Sequence, residues 1–364
     1  MIKLFISKMS HNLDIHLLST IIVLVLIGIV TLVSATQENL YVLGSQLFNI
    51  IVGLLVLYIF ANLQPRRILF YAPYFYLLCL ILLFLVSTIG IESHGAKRWL
   101  DLGVINFQPS ELMKIALPLF LGSIYHHYQK NISIKAHTLS IIAIVIPFLI
   151  IHNQPDLGTA IMIVASGITI IFLAGLPWKL IFSSIFLCLV SAPFIWNTLL
   201  DYQKNRILAL LDPTKDPYGS GYHSLQSIIA IGSGGFFGKG WGNSSQSNLN
   251  FLPETTTDFI FSVFAEEFGF FGIILIFLLY SFIFYRCFTL TSKMQNTFSR
   301  LVAASLSVSL FVATFVNIGM ISGIMPIVGI PLPFISYGGT SMVVSMASIG
   351  IIVGLYSNKS LIAN

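Results

Sequence analysis

Residues 15–34 read IHLLSTIIVLVLIGIVTLVS, and this stretch contains no Asp, Glu, Lys or Arg. A helix of about 20 mostly apolar residues is long enough to cross the hydrocarbon core of a bilayer. The apolar run is full length, and no small-residue cleavage pattern follows it before the next apolar run, which argues against a cleavable signal peptide. The stretch therefore predicts a first membrane span.

Similar stretches recur along the whole chain. Of 364 residues, 56% are hydrophobic, only 9% are charged and 30 are Phe, which excludes a water-soluble globular protein. The sequence predicts an all-α polytopic membrane protein, a single bundle over residues 1–364 with about ten transmembrane helices. The predicted spans are residues 15–34, 46–62, 69–90, 109–129, 137–152, 156–175, 178–200, 259–285, 301–322 and 340–357.

The charges are distributed unevenly between the two sides of this bundle. If the N-terminus is cytoplasmic, that side receives one acid, Asp14, of the 13 and 11 of the 18 Lys and Arg residues. Cytoplasmic loops carry an excess of cations, so the pattern predicts cytoplasmic termini and a long extracytoplasmic loop, residues 201–257, between spans 7 and 8. The inner cations are too scattered for a nucleic-acid patch: Lys3, Lys8, Arg66, Arg67, Lys130, Lys135, Lys179, Arg286, Lys293, Arg300 and Lys359.

An acidic residue stands where the long loop meets the eighth span. It is Asp258, within the stretch LPETTTDFIF. Ionisable groups in or beside the membrane are costly and usually functional. The structural alternative is a capping box formed with Thr255. Capping does not account for Glu254, or for Glu266 and Glu267 two turns further on, which we expect to face the bundle interior.

Two cations and a tryptophan adjoin in another loop on the predicted outer side. Lys97, Arg98 and Trp99 are either interfacial anchors that contact lipid headgroups or ligands of a bound anion. The positive-inside tendency disfavours cations on this side, which favours an anion.

Two spans open with a carboxylate on the same side. Glu111 and Lys114 begin the fourth span at i,i+3 spacing, so they either neutralise each other or line a cavity filled with water or ligand. Before the sixth span, Asn153 is a candidate helix cap, and Asp156 either complements the helix dipole or joins the other acids in a site.

The long loop contains an apolar piece and a glycine-rich run. Residues 225–231 predict a short helix lying on the membrane surface and capping a cavity. Residues 232–242 resemble a phosphate-binding loop only superficially, because no Ser or Thr follows Lys239 and no strand precedes the run. We therefore expect no nucleotide. The backbone N–H groups and Lys239 remain a candidate nest for an anion.

Taken together, these residues resemble the SEDS family (shape, elongation, division and sporulation). The resemblance covers nearly the whole chain in order and is more specific than any single motif. It is carried by KRWL (97–100), FQPSELMK (107–114), QPDLGTA (154–160), GYH (221–223), LPE (252–254), TDF (257–259) and PLPFISYGGT (331–340). Two further stretches are more similar to the elongation branch than to the division branch: GKGW (238–241) and MPIVGIP (325–331).

The resemblance implies a peptidoglycan glycosyltransferase that polymerises lipid II at the outer face of the bacterial cytoplasmic membrane, for cell elongation and shape. It implies a class B penicillin-binding transpeptidase and other elongation-complex membrane proteins as partners. The family's essential acid maps onto Asp258, its tryptophan onto Trp99, and its polar cavity residues onto Glu111, Lys114 and Asp156.

This chain departs from its relatives in one respect. They often carry a basic residue and His before the Thr-Asp pair, where Thr255 and Thr256 stand here. These two positions therefore supply no basic side chain.

Joining two lipid-linked sugars requires a base, and Asp258 is the candidate for removing the proton of the 4-hydroxyl of the acceptor GlcNAc. We expect one inverting displacement, since retention would need a second carboxylate as nucleophile, for which Glu254 is the neighbour. The candidate groups for neutralising the leaving diphosphate are Lys97, Arg98, Lys114 and Lys239.

The sequence leaves the cofactor open. Mg²⁺ or Mn²⁺ bridging the diphosphate is an alternative, with Glu111, Asp156 and Asp258 as oxygen donors, although no ligand spacing establishes such a site. Two rival functions also stay open. A lipid II flippase would need a polar path across the bundle, and a non-catalytic scaffold for a transpeptidase would tolerate replacement of Asp258.

Overall fold

The computed structural model describes residues 14–37, 39–93, 96–101, 106–129, 134–199, 201–213, 216, 219–249, 251–252 and 254–357. Four of the cations assigned to the cytoplasmic side, Lys3, Lys8, Lys130 and Lys359, lie outside the described residues.

Over the described residues, the chain forms a helical bundle with one small sheet. The elements in chain order are α1 (Ile15–Ala35), α2 (Leu40–Asn62), α3 (Pro65–Ile89), β1 (Ile91–Ser93), β2 (Ala96–Asp101), β3 (Asn106–Phe107), α4 (Pro109–His127), α5 (Ile134–His152), α6 (Leu157–Leu173), α7 (Trp178–Thr198), α8 (Asp201–Leu211), α9 (Ser220–Ser233), α10 (Ser245–Asn248), α11 (Ile260–Ser292), α12 (Thr297–Ile321) and α13 (Gly339–Ser357).

Each of the ten predicted spans coincides with a helix, α1 to α7 and α11 to α13, which confirms the polytopic helical bundle. In the described part of the chain, seven helices are long and apolar enough to cross a membrane: α1, α2, α3, α5, α11, α12 and α13. Helix α6 is apolar but shorter. Successive spans alternate in direction. The end of the bundle that carries Asp258 is called the site end.

Helix α2 starts earlier than the predicted span. It begins at Leu40, after its Asn39 cap, rather than at residue 46, and its polar residues Gln46 and Asn49 are buried. The Gln46 amide donates to the Ser336 carbonyl at 3.3 Å. Polar residues inside a membrane bundle are tolerated when they find such partners.

Local sequence signals set many of the helix starts. Asp14 caps α1 by accepting from the Leu17 N–H at 3.2 Å, and Asn39 and Asn296 cap α2 and α12 in the same way. Proline occupies the first position of α3 and α4, where its missing N–H costs no helical hydrogen bond.

Helix α12 lies at the centre of the bundle, packed against α4, α6, α11 and α13. Helices α2 and α13 pack most closely, because Gly350 and Gly354 remove the side chains between them. A Cβ at either position would lie 2.5 Å from a carbonyl oxygen of α2, that of Leu57 or Phe60. Such small-xxx-small spacing lets membrane helices approach backbone to backbone.

A three-stranded antiparallel sheet, in the order β1-β2-β3, occupies the site end between α3 and α4. The sequence predicts only a short loop here. The sheet matters for the site because β2 carries Lys97, Arg98 and Trp99.

The long loop of residues 201–257 is largely ordered into helices, α8, α9 and α10, in the described residues. The helix predicted at 225–231 is present but longer, and one of its faces packs on α11 and α12. Ser227 donates from that face to the Ile321 carbonyl at 2.9 Å. The loop is therefore part of the bundle rather than a separate lid.

The glycine-rich run of this loop interlocks with a break in α11. Gly269 has a φ of 62° and interrupts the helix, a backbone conformation that other residues rarely adopt. The N–H groups of Phe270 and Phe271 then donate to carbonyls of the loop at 2.9 and 3.3 Å, while those of Lys239 and Gly240 donate to the carbonyls of Glu266 and Glu267 at 3.0 Å. Each segment satisfies the backbone groups that the other leaves open.

The side chain of Glu266 completes this interlock. It is fully buried, as expected, and accepts from the Lys239 ammonium at 2.6 Å and from the Ser244 and Ser245 hydroxyls at 2.6 Å. Glu267 is also buried and accepts from Ser34 of α1. The two carboxylates therefore hold the loop against α11 and α1.

We predict that Glu266→Ala will lower the free energy of unfolding by about 2–3 kcal/mol, since hydrogen bonds to a charged group are lost. Thermal unfolding in detergent and limited proteolysis of residues 234–252 would measure it. The control is Glu92→Ala, which removes an exposed carboxylate and should leave unfolding unchanged. Equal effects of both variants would contradict a fastening role for Glu266.

Candidate functional site

Asp258 lies in a turn, residues 254–259, that joins the long loop to α11. The N–H groups of Thr257 and Phe259 donate to the Glu254 carbonyl at 3.1 and 3.2 Å. The helix begins at Ile260 with Phe259 as its N-cap, and no side chain makes a capping hydrogen bond there. The capping-box interpretation of Asp258 is therefore wrong, because the helix starts two residues after the acid. Its carboxylate remains available for another role.

The backbone of this turn is held by the segment that precedes α13. The Ser336 hydroxyl donates to the Thr257 carbonyl at 2.6 Å, and the Tyr337 N–H donates to the Thr256 carbonyl at 2.9 Å. These donors belong to the PLPFISYGGT stretch. A hydroxyl and a backbone N–H of this motif thus position the turn of residues 254–259, which we call the acidic turn.

A buried amide from α12 makes a further connection. Asn317 donates to the carbonyls of Asp258 and Ile330, at 3.0 and 2.7 Å. It therefore ties the acidic turn to the segment before α13. Gly329, with a φ of 74°, lies so close that a Cβ there would be 3.2 Å from the Asp258 carboxylate. A side chain at that position would strain the backbone and push against the carboxylate.

The surroundings of Asp258 favour its protonated form. Burial raises the pKa of this carboxyl to about 6; the charges of Glu254 and Asp156 add to the rise, and those of Arg206 and Arg98 oppose it. Loss of solvent disfavours the charged carboxylate, so the neutral, protonated form gains relative to a carboxyl in water. A carboxyl with this pKa exchanges its proton close to neutral pH.

Asp156 and Arg98 are fixed by the turn between α5 and α6. Asp156, which is 6% exposed, accepts from the Thr159 N–H at 3.2 Å and from the Gln108 amide at 3.0 Å. It caps α6, so the expectation of Asn153 as the cap is wrong. The Arg98 guanidinium donates to the carbonyls of Gln154, at 3.1 Å, and Pro155.

Glu111 and Lys114 form the expected ion pair, 2.6 Å apart, with the Lys114 side chain 13% exposed. Both line a cavity of about 40 Å³ between α4, α12, α13 and residues 330–336. A cavity of this size holds a few water molecules. Ser336, which holds the turn of Asp258, also lines the cavity. The ion pair and the acidic turn (residues 254–259) are thus linked through Ser336, which lines the cavity and donates to the turn.

The remaining candidate site residues lie at separate positions. Lys97 is exposed on β2, and Trp99 beside it is half-buried. Glu254 is exposed and accepts from the Thr257 hydroxyl at 2.9 Å. Lys239 belongs to the neighbouring Glu266 cluster, where it also donates to Ser245 at 2.9 Å. The structure therefore groups Asp258 with Asp156, Glu254 and Arg98 and places Lys239 apart.

Two residues of the site were missed in the sequence. Asn317 carried a usable signal, because an amide inside an apolar span needs a partner within the bundle. Arg206 had a weaker one: it is a cation on the predicted outer side, in α8. Only the fold shows that its charge acts on Asp258.

The candidate metal ligands do not form a metal site by themselves. In the described residues, no three His, Cys, Asp or Glu side chains converge in a geometry that could hold a metal ion. Glu111 is paired with Lys114, and both Asp156 oxygens accept protein hydrogen bonds. Two of the three candidate ligands, Glu111 and Asp156, therefore already have protein partners.

The fold and the site together define a polytopic helical membrane protein with a half-buried acid clamped at one end of its bundle. Residues 10–361 match the family of FtsW, RodA and SpoVE, described as cell cycle proteins. The chain belongs to this family.

Three similar proteins illustrate the match. The peptidoglycan glycosyltransferase MrdB of Escherichia coli K12 is 42% identical over 353 residues, covering 97% of this chain and 95% of MrdB. A chain in a structure described as a peptidoglycan synthase complex coordinating polymerization and crosslinking superposes with a TM-score of 0.84 at 29% identity, covering 96% of this chain and 98% of that one. For the rod shape determining protein RodA of Thermus thermophilus, the TM-score is 0.72 at 27% identity, with 95% and 97% covered.

We predict that an apolar carbodiimide, which reacts with protonated carboxyl groups, will label Asp258 at pH 5 and progressively less as the pH rises through about 6. Peptide mapping by mass spectrometry would measure the labelling. Arg206→Gln should shift the midpoint upward, because the Arg206 charge lowers this pKa. Labelling of the exposed Glu92 in the same digests is the control for reagent activity at each pH. A midpoint near 4 at Asp258 would contradict the buried environment.

Proposed function

We infer that this chain is a peptidoglycan glycosyltransferase that polymerises lipid II, with Asp258 as its general base. The observation that carries the assignment is a carboxyl of near-neutral pKa, about 6, whose backbone is clamped by Asn317 and Ser336. Membership of the family and similarity to a peptidoglycan glycosyltransferase support the substrate class. The elongation branch is supported by the MrdB and RodA relatives.

The proposed reaction is one displacement at the anomeric carbon of the donor sugar. Asp258 accepts the proton of the acceptor 4-hydroxyl as that oxygen forms the new glycosidic bond. The bond from the anomeric carbon to the lipid diphosphate breaks, and the diphosphate leaves with the electron pair. A single base and a single displacement give inversion. A positioned base with a pKa near the working pH contributes about 10²–10⁴ in rate.

The leaving diphosphate needs cations, and the site end offers several. Arg98 uses Nε and one Nη on carbonyls, so part of its five-donor guanidinium is left for an anion. Lys97 is exposed beside it on β2, and Trp99 adjoins both. Lys114 and Lys239 already hold carboxylates. We therefore propose β2 as the first contact for the diphosphate.

We include a divalent cation in the proposal only as an ion that binds together with the substrate diphosphate. Glu111 and Asp156 are engaged by protein partners, so Mg²⁺ or Mn²⁺ bound here would take most of its ligands from the diphosphate oxygens. Hard oxygen donors of this kind suit both ions. Adding a chelator to the polymerisation assay, and then restoring each ion, decides the requirement.

We propose the orientation from the charge asymmetry. With the site end outside the cytoplasmic membrane, Arg66, Arg67, Lys179 and Lys293 lie on the cytoplasmic side, together with both termini. Asp258 then meets lipid II after its headgroup has crossed the membrane. The similar chain in a peptidoglycan synthase complex supports a class B penicillin-binding transpeptidase as partner, within a larger elongation complex.

We predict that Asp258→Asn will abolish glycan polymerisation while the protein still inserts and binds its transpeptidase partner. Labelled lipid II, the purified complex and a glycan-length gel would measure it. Because the carboxylate form is the active base, wild-type activity should rise with pH through about 6. Glu254→Gln is the matched control, since it removes a neighbouring exposed carboxylate and should retain the inverting reaction.

Retained polymerisation in Asp258→Asn would overturn the base assignment. Loss of polymer in both variants would instead assign a catalytic role to Glu254 and favour retention. If wild type made no polymer but moved labelled lipid II across vesicles, the flippase alternative would replace the enzyme. If it did neither yet stimulated the transpeptidase, the scaffold alternative would hold.

The role of Lys114 can be separated from that of its ion pair. We predict that Lys114→Met lowers both stability and polymerisation, because it leaves Glu111 buried without its partner. Adding Glu111→Gln should restore the unfolding temperature but not polymerisation if Lys114 also positions substrate or water. Recovery of both properties in the double variant would show that the pair only neutralises charge. Thermal unfolding and the polymerisation assay measure the two effects.

A further inference from the structure

An apolar groove with two arginines at its mouth lies at the end of the bundle opposite Asp258. It runs between the end of α2, the first turns of α3 and the middle of α4, and has a volume of about 570 Å³, within the range of ~300–1,000 Å³ typical of small-molecule sites. Its walls include Phe60, Leu63, Phe70, Tyr71, Phe75 and Leu119.

The groove has a charged end and an apolar length. Arg66 and Arg67 stand in the first turn of α3, both exposed, and the apolar wall continues along the helix to Phe75. Nine residues of helix span about 13 Å. The groove therefore reaches from the start of the span well into the hydrocarbon depth. Its chemistry matches an amphiphile with a negative head and a long apolar tail.

The electrostatics at the mouth favour an anion. The described residues that line the groove include both arginines and no carboxylate. The mouth is also the N-terminus of α3, where Pro65 is the first residue and no side chain makes a capping hydrogen bond. The helix dipole there adds to the positive charge of the arginines. Arginine also presents planar paired donors that suit phosphate oxygens.

We propose that this groove binds one anionic glycerophospholipid, with the headgroup phosphate on Arg66 and Arg67 and an acyl chain along the wall from Leu63 to Phe75. Phe70 and Tyr71 on this face of α3 are 63% and 61% exposed, so a lipid enters the groove sideways from the bilayer. The site is separate from that of Asp258 and does not depend on the chemistry performed there.

Native mass spectrometry of the purified protein, titrated with phosphatidylglycerol or phosphatidylcholine of the same acyl chains, tests the proposal. Wild type should retain one phosphatidylglycerol in preference to phosphatidylcholine. Arg66→Gln/Arg67→Gln should weaken that binding about tenfold or more, while Arg66→Lys/Arg67→Lys should largely preserve it. Leu63→Trp, which fills the groove and keeps both charges, should also weaken it.

The matched control is Lys179→Gln/Lys293→Gln, which removes two exposed cations from the same end of the bundle and should leave binding unchanged. An equal loss in this control would overturn the site in favour of general surface attraction. Unchanged binding in Leu63→Trp would overturn the placement of the acyl chain. Displacement of phosphatidylglycerol by an equimolar polyprenyl phosphate would overturn the choice of a glycerophospholipid.

Discussion

The structure depends on the requirement that backbone polar groups near a membrane find partners within the protein. Among the described residues, the site end breaks regular structure at Gly269 in α11 and again in the segment between α12 and α13. The first break is closed by hydrogen bonds to the glycine-rich run. In the second, Asn317 donates to the Ile330 carbonyl and the Ser336 hydroxyl accepts from the Leu332 N–H; both side chains also donate to carbonyls of the acidic turn. The same hydrogen bonds that make irregular backbone tolerable therefore also place Asp258.

This arrangement explains why the acids near Asp258 have different roles. Glu266 is surrounded by hydroxyl, ammonium and backbone donors, so its charge fastens the loop. Asp156 caps a helix. Asp258 receives no comparable set of donors in the described structure, and burial raises its pKa to about 6. Supporting the backbone of an acid while leaving its carboxylate poorly solvated is a means of obtaining a base near neutral pH.

The sequence predicted the bundle well because length and hydropathy govern membrane helices more strongly than local propensity does. It also predicted the ion pair of Glu111 and Lys114, and it singled out Asp258, whose catalytic role stays a prediction. It did not predict the sheet that carries Arg98, since short strands in a polar loop have no periodic signal. It also missed Asn317, because an amide in a membrane span indicates that a hydrogen-bond partner exists but does not show which residue that partner is. Pairings between distant parts of the chain arise only when the helices are packed.

The clamp on the acidic turn has a consequence for the order in which the protein is made. Asp258 is held by Asn317, Ser336 and Tyr337, all of which are synthesised later than the acid they hold. The nascent chain can therefore insert its first eight spans and expose the acid before the groups that position it exist. The site is assembled only when the last helix pair has packed, so an incompletely synthesised chain carries Asp258 without its supporting geometry.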